Sequence, residues 1–137
     1  MPRYAAEREL LAPLGDVWSF VAEPYHLSDW WPGITGVEPD RRGMAPGARW
    51  KVQGPGYLKK ADTPALLVVR EVVPMERVSF ELTRSRTLVE VELRAAGAGR
   101  TRAEVAVSGR FLFGPRSTLA KDALRRLYDL VQTAAEP

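Results

Sequence analysis

Few side chains in this 137-residue sequence can move a proton, attack a carbonyl or hold a metal, and those few stand apart from one another. His26 is the only histidine, and there is no cysteine. Disulfides, thiolate metal sites and a cysteine nucleophile are therefore excluded. A metal centre would need carboxylates alone or a second chain, and Ser-His-Asp chemistry would rest on His26, whose plainer reading is a rim or core residue. Gly43, Gly47, Gly54 and Gly56 serve turns, since none opens a helix as a phosphate-binding fingerprint requires. No metal and no cofactor is expected.

What remains is the chemistry of cations and aromatic rings set among apolar residues. Val78, Phe80 and Leu82 share a side with Arg84, while Tyr4, Arg8, Leu10 and Ala12 have a common parity. Val89, Val91 and Leu93 form another row, Ala103, Val105, Val107 and Phe111 a third, and Trp50 pairs with Val52. An inward arginine is costly unless it meets a carboxylate, so Arg8 or Arg84 would anchor an acidic group on a lipophilic ligand. The competing reading puts each at a strand end, snorkelling to solvent or paired with a glutamate of the same chain. Glu81, Glu90 and Glu92 fall on the opposite faces and meet water.

Residues 26–34 read HLSDWWPGI, with two tryptophans side by side where a helix ends. Successive helical residues point about 100 degrees apart, so the two rings cannot share one core face and the second needs another destination.

These residues must be positioned by elements that the sequence also marks. Residues 3–12 alternate as a strand, and GDVWSFVAEP reads as a short helix with Asp16 at its N-cap. Pro24 stops that helix and starts YHLSDW, a second short helix that closes ahead of Pro32. The period then changes. ITGVEP, GARWKVQ, ALLVVREVV, RVSFELTR, TLVEVELR and TRAEVAVSGRF read as antiparallel strands, with residues 53–64 open between strand and loop. Past Pro115 a long amphipathic helix places Leu119, Ala123, Leu124, Leu127, Tyr128, Val131 and Ala134 on one side. On its polar side, Asp122 with Arg126 and Arg125 with Asp129 stand at ion-pair spacing. One apolar sheet face and one apolar helix stripe are economically buried by laying the helix across the sheet, and a gap between them becomes a pocket.

Length and composition fit one domain spanning residues 1–137, with 45% hydrophobic and 27% charged residues. Sixteen arginines and four lysines against 17 carboxylates leave a formal charge of +3. Because Arg and Glu interleave, as in RVSFELTR and LVEVELR, no basic stripe forms and nucleic-acid binding is not expected. The longest aliphatic run, ALLVV, is too short to span a bilayer, and MPRYAAEREL lacks a signal-type apolar region. With the absence of cysteine, this reads as a cytoplasmic protein.

The order of these segments resembles the SRPBCC superfamily, which groups Bet v 1-like and START-like proteins with bacterial polyketide cyclases and dehydrases. LLAPLGDVWSFVAEP is similar to the family's strand, Ala-Pro and Val-Trp helix, and DWWPGITGVE to its Trp-x-Pro-Gly segment. GMAPGARWKV resembles its glycine-bounded turn, and VVREVVPMERVSFEL its Val-Pro hairpin. The resemblance implies an α+β helix-grip fold: a curved seven-stranded antiparallel sheet around a long C-terminal helix, two short helices after the first strand, and a deep apolar cavity. In that pattern Trp30 matches the core-facing tryptophan. Trp31 holds the variable position, either as a gate over the cavity mouth or packed in the core. The family shares no catalytic signature to carry over.

The leading expectation is a carrier or sensor that encloses a small lipophilic or aromatic molecule, with Arg8, Trp31, Trp50, Phe80, Arg84, Val91, Val107, Leu124 and Tyr128 at the cavity or its mouth. The first alternative is a cyclase, aromatase or dehydratase in which Arg84, Tyr128 or His26 moves a proton or steadies an enolate. The second is a protein-interaction module of the same fold, whose sign would be an exposed apolar patch.

Overall fold

Period-2 alternation resolves into a single sheet. The computed structural model describes residues 3–54, 65–109 and 118–135. Its strands are β1 (Arg3–Leu10), β2 (Gly36–Glu38), β3 (Arg49–Gln53), β4 (Ala65–Val73), β5 (Arg77–Leu82), β6 (Thr87–Ala95) and β7 (Thr101–Gly109). They form one seven-stranded antiparallel sheet in the order β1-β7-β6-β5-β4-β3-β2. The first strand thus pairs with the last, and every other strand pairs with its neighbour in sequence. Within residues 53–64, Gln53 ends β3, and residues 55–64 lie outside the described residues, as does Phe111.

One irregularity explains why ALLVVREVV fails to alternate. Val69 pairs with Phe80 but Glu71 pairs with Ser79, so Arg70 is an extra residue on β4. The bulge leaves Arg70 and Glu71 both exposed, while Leu67 and Val69 before it remain buried.

The helices follow the expected order with shifted ends. α1 spans Leu14–Val21 and begins three residues earlier than an Asp16 cap would allow. Pro13 takes the cap position at φ −61, and its carbonyl accepts the N–H groups of Asp16 and Val17. Asp16 lies in the first turn instead, where a negative charge meets the positive end of the helix. A 3-10 turn, Pro24–His26, leads into α2 (Leu27–Trp30), and the Glu23 carboxylate accepts the N–H of Tyr25. The long α3 (Leu119–Ala135) packs on β1, β7 and α2. Its ion pair joins Arg125 to Asp122, one turn back, rather than the four-residue spacings.

The inner rows and the α3 stripe meet in one core. Leu67, Val69, Val78, Phe80, Leu82, Val89, Val91, Val105 and Val107 are buried from the sheet, and Ala120, Ala123, Leu124, Leu127 and Val131 from α3. Among the described residues, no helix is long and apolar enough to cross a membrane.

Candidate functional site

The candidate site is the apolar interior where the inner face of the sheet meets α3. Its floor is built by register. Val78 faces Val91, Val91 faces Val105, and Phe80 lies between Val69 and Val89, so the middle strands present a continuous aliphatic surface with one aromatic ring. Val107 continues that surface towards Tyr4 on β1. Leu124 and Leu127 face it from α3, fully buried.

Trp31 stands in this interior. A ring at an open mouth would keep an exposed edge, yet Trp31 has 0% exposure, which favours the packed alternative over the gate. It meets Trp30 edge to face at 5.8 Å and Phe80 likewise at 5.9 Å. The variable position of the DWWPG segment is thus turned inward, and the residue after it, Pro32, leaves the helix at the turn. The indole N–H groups of Trp30 and Trp31 are buried and have no hydrogen-bond partner among the described residues. Trp50 differs, because its indole N–H donates to the Gly43 carbonyl at 2.7 Å and so ties β3 to the preceding loop.

Arg8 and Tyr128, on β1 and α3, are brought together at the seam between these elements. The Arg8 guanidinium carbon stands 4.2 Å from the centroid of the Tyr128 ring, a cation–π contact, and both side chains are half-buried. No carboxylate of the described residues pairs with Arg8. Arg84 is not part of the inner row: β5 ends at Leu82, and Arg84 lies half-buried in the turn to β6. His26 is on the surface, its Nδ1 2.9 Å from Asp29 and its ring against Phe20, so it contributes nothing to the interior. Two of the buried hydroxyls are occupied with the backbone: Thr101 donates to the Ala12 carbonyl, and Thr87 to the Ser85 carbonyl.

The other side of the sheet has a different character. A cleft of about 420 Å³ there is lined by Glu7, Glu92, Arg77 and Arg102 together with Leu14 and Met75. Its charges are neutralised mutually: Arg102 donates twice to Glu7, Arg77 lies 3.3 Å from Glu92, and Arg3 is 3.7 Å from Glu104. Glu7, Glu104 and Glu92 stand side by side on β1, β7 and β6. The hydrogen bond between the Glu7 and Glu104 carboxyls, then burial and the neighbouring negative charges, raise Glu104 above its ordinary 4.5. Bonds from Arg102 and Glu104 lower Glu7. An ion-paired, open cleft suits no lipophilic molecule. Among the described residues, no group of three or more histidine, aspartate or glutamate side chains could hold a metal ion.

Two features, one in the interior and one on the outer face, were out of reach of sequence reasoning. The unpaired indoles could not be foreseen because a tryptophan's partner is set by tertiary packing, and the Glu7–Glu104 pair because nothing local says that β1 joins β7. The Arg8–Tyr128 contact had a partial signal, since both residues fall on rows read as inward.

Comparison with known proteins agrees with this architecture. A family model described as "Polyketide cyclase / dehydrase and lipid transport" matches residues 1–134. No curated protein matches the chain. Among solved structures, XoxI from Bacillus cereus is similar with a TM-score of 0.74 at 10% identity, covering 100% of both chains. TTHA0849 from Thermus thermophilus gives a TM-score of 0.72 at 16% identity over 98% of this chain and 100% of that one. DynU16, a protein of the dynemicin biosynthetic locus, gives 0.67 at 23% identity over 96% of this chain and 48% of its own. At such identities the likeness is one of fold.

Proposed function

Because the chain belongs to the polyketide cyclase / dehydrase and lipid transport family, we propose that it encloses a small lipophilic or aromatic molecule between the sheet and α3, as a carrier or sensor. The observation that carries this reading is the make-up of the inner face. Aliphatic rows and the rings of Phe80 and Trp31 supply apolar contact, and among the described residues no carboxylate or imidazole belongs to that interior to do proton chemistry. Binding of this kind needs few polar groups, set where orientation is fixed. Arg8, resting on Tyr128 at the β1–α3 seam without a carboxylate of its own, suits the acidic end of such a molecule.

A cyclase or dehydratase is the second reading, and the Arg8–Tyr128 contact favours it to the extent that a phenol beside a guanidinium can stabilise an enolate. Turnover of a polyketide chain would separate it from carriage.

The test is native mass spectrometry on gently purified protein. A discrete adduct that denaturation releases supports enclosure and gives the ligand's mass. A clean protein mass, followed by a screen of lipophilic acids that leaves tryptophan fluorescence unchanged, would sink it.

A further inference from the structure

The indole N–H groups of Trp30 and Trp31, on rings whose centroids are 5.8 Å apart, are buried donors without acceptors among the described residues. Trp30 is 1% exposed and Trp31 0%, so water does not reach either from outside. The remaining buried donor without a hydrogen bond, Arg77 Nε, lies 3.3 Å from the Glu92 carboxylate and has its electrostatic partner. Trp50 shows that this fold can give an indole a backbone acceptor where one is wanted. An unmade bond to a buried donor is expensive, and such groups in native proteins call for an explanation.

We infer that the indole N–H groups of Trp30 and Trp31 receive an oxygen of the bound molecule, and that this oxygen is a neutral carbonyl, as in a ketone or quinone. The inference rests on the enclosure proposed above and names the chemistry of its ligand. An indole nitrogen only donates, so the partner must accept. A buried water can accept from both, but it then needs acceptors for its own two hydrogens. Phe80 stands against Trp31, and Leu27 and Ile34, close to the pair in sequence, are likewise buried apolar side chains of the core. A carbonyl oxygen has two lone pairs and no hydrogen left over. A carboxylate would bring a charge into a core without a facing cation, since Arg8 is at the β1–α3 seam.

The experiment compares 9-fluorenone with fluorene, which have the same outline and differ by one carbonyl. Affinities are measured for the full-length protein and for Trp30→Phe and Trp31→Phe, which keep an aromatic ring and delete the donor. The wild type is expected to favour fluorenone over fluorene by about tenfold more than either variant does, a ratio that cancels the hydration of the probes. In the wild type's indole 15N–1H spectrum, which depends on no variant folding, fluorenone should move the Trp30 and Trp31 signals downfield and leave Trp50 in place. Fluorene should move neither in that direction. Fluorene bound with the same preference ratio in all three proteins, and no downfield shift with fluorenone, overturns the inference and leaves enclosure standing. Failure of the wild type to bind either probe overturns both.

Discussion

Replacing Trp31 by alanine separates a ring in the core from a ring at a mouth by magnitude. The side chain is wholly buried and touches Trp30 and Phe80 edge to face. Removing about 200 Å² of buried apolar surface costs about 5 kcal/mol at 25 cal/mol per Å². Deleting a donor that has no partner returns about 1–2 kcal/mol of that. The net loss should be about 3–4 kcal/mol, within the range for buried tryptophan truncations. For a chain of this length that corresponds to a fall of roughly 10–15 °C in melting temperature, out of a total stability of about 5–15 kcal/mol. Urea unfolding followed by far-UV circular dichroism reads it without relying on the fluorescence of the deleted ring. Trp18→Ala, at a half-buried position on α1, should lose less. A Trp31→Ala loss below about 1 kcal/mol would refute the packing argument and return the ring to the mouth.

Glu104→Gln tests the carboxyl pair through its pH dependence. Glu104 holds its proton in the folded protein above the 4.5 at which it titrates when unfolded, so the native state binds more protons in that window. Stability contributed by this group therefore falls as pH rises from 4.5 through the raised value. Glutamine keeps a donor for Glu7 at every pH, so melting curves from about pH 4.5 to about pH 7 should lose that downward slope; parallel curves for the two proteins would contradict the pairing. Arg8→Gln should weaken binding of 2-naphthoate by about tenfold and leave naphthalene unchanged, as isothermal titration would show, if Arg8 receives an acidic group. Gly54→Ala should destabilise by about 3 kcal/mol or more, because a Cβ there would overlap the Gly33 carbonyl beyond the DWWP turn. Gly15→Ala, inside α1 with its nearest contact 3.7 Å away, should be neutral or stabilising in the same thermal melts.

The fold was legible where a residue's neighbours in sequence decide its environment. Alternation in RVSFELTR and TLVEVELR predicts which residues of β5 and β6 turn inward, because side chains on a strand change face at every step. The stripe Ala123, Leu124, Leu127 and Val131 predicts the buried side of α3 by the same local logic. Legibility ended where distant parts of the chain meet. The bulge at Arg70 is decided by the partner strand, and the start of α1 by a proline carbonyl that outcompetes an aspartate cap. Trp31 shows the limit most sharply: neighbouring helical positions diverge, but a chain that leaves the helix at Pro32 can carry the second ring back inside. Arg84 leaves the inner row for a related reason, since parity holds only to the end of a strand and β5 ends two residues before it, as the strand-end reading expects.

The two faces of the sheet dispose of their polar groups in opposite ways, and that contrast bears on function. Outside, Arg102 with Glu7, Arg77 with Glu71 and Glu92, and Arg100 with Glu9 satisfy one another across the strands. Such exposed pairs add little stability, but they leave no strong demand for a partner. Inside, polar groups are few, and two places stand out among the described residues: Arg8 at the β1–α3 seam, which meets the Tyr128 ring but no carboxylate, and the indole pair, whose N–H groups have no acceptor. If the interior served stability alone, phenylalanine at positions 30 and 31 and an aliphatic residue at position 8 would fill it without stranded donors. Retaining a cation at the edge and two neutral donors within is consistent with a molecule that is acidic at one point, carbonyl-bearing at another and apolar between.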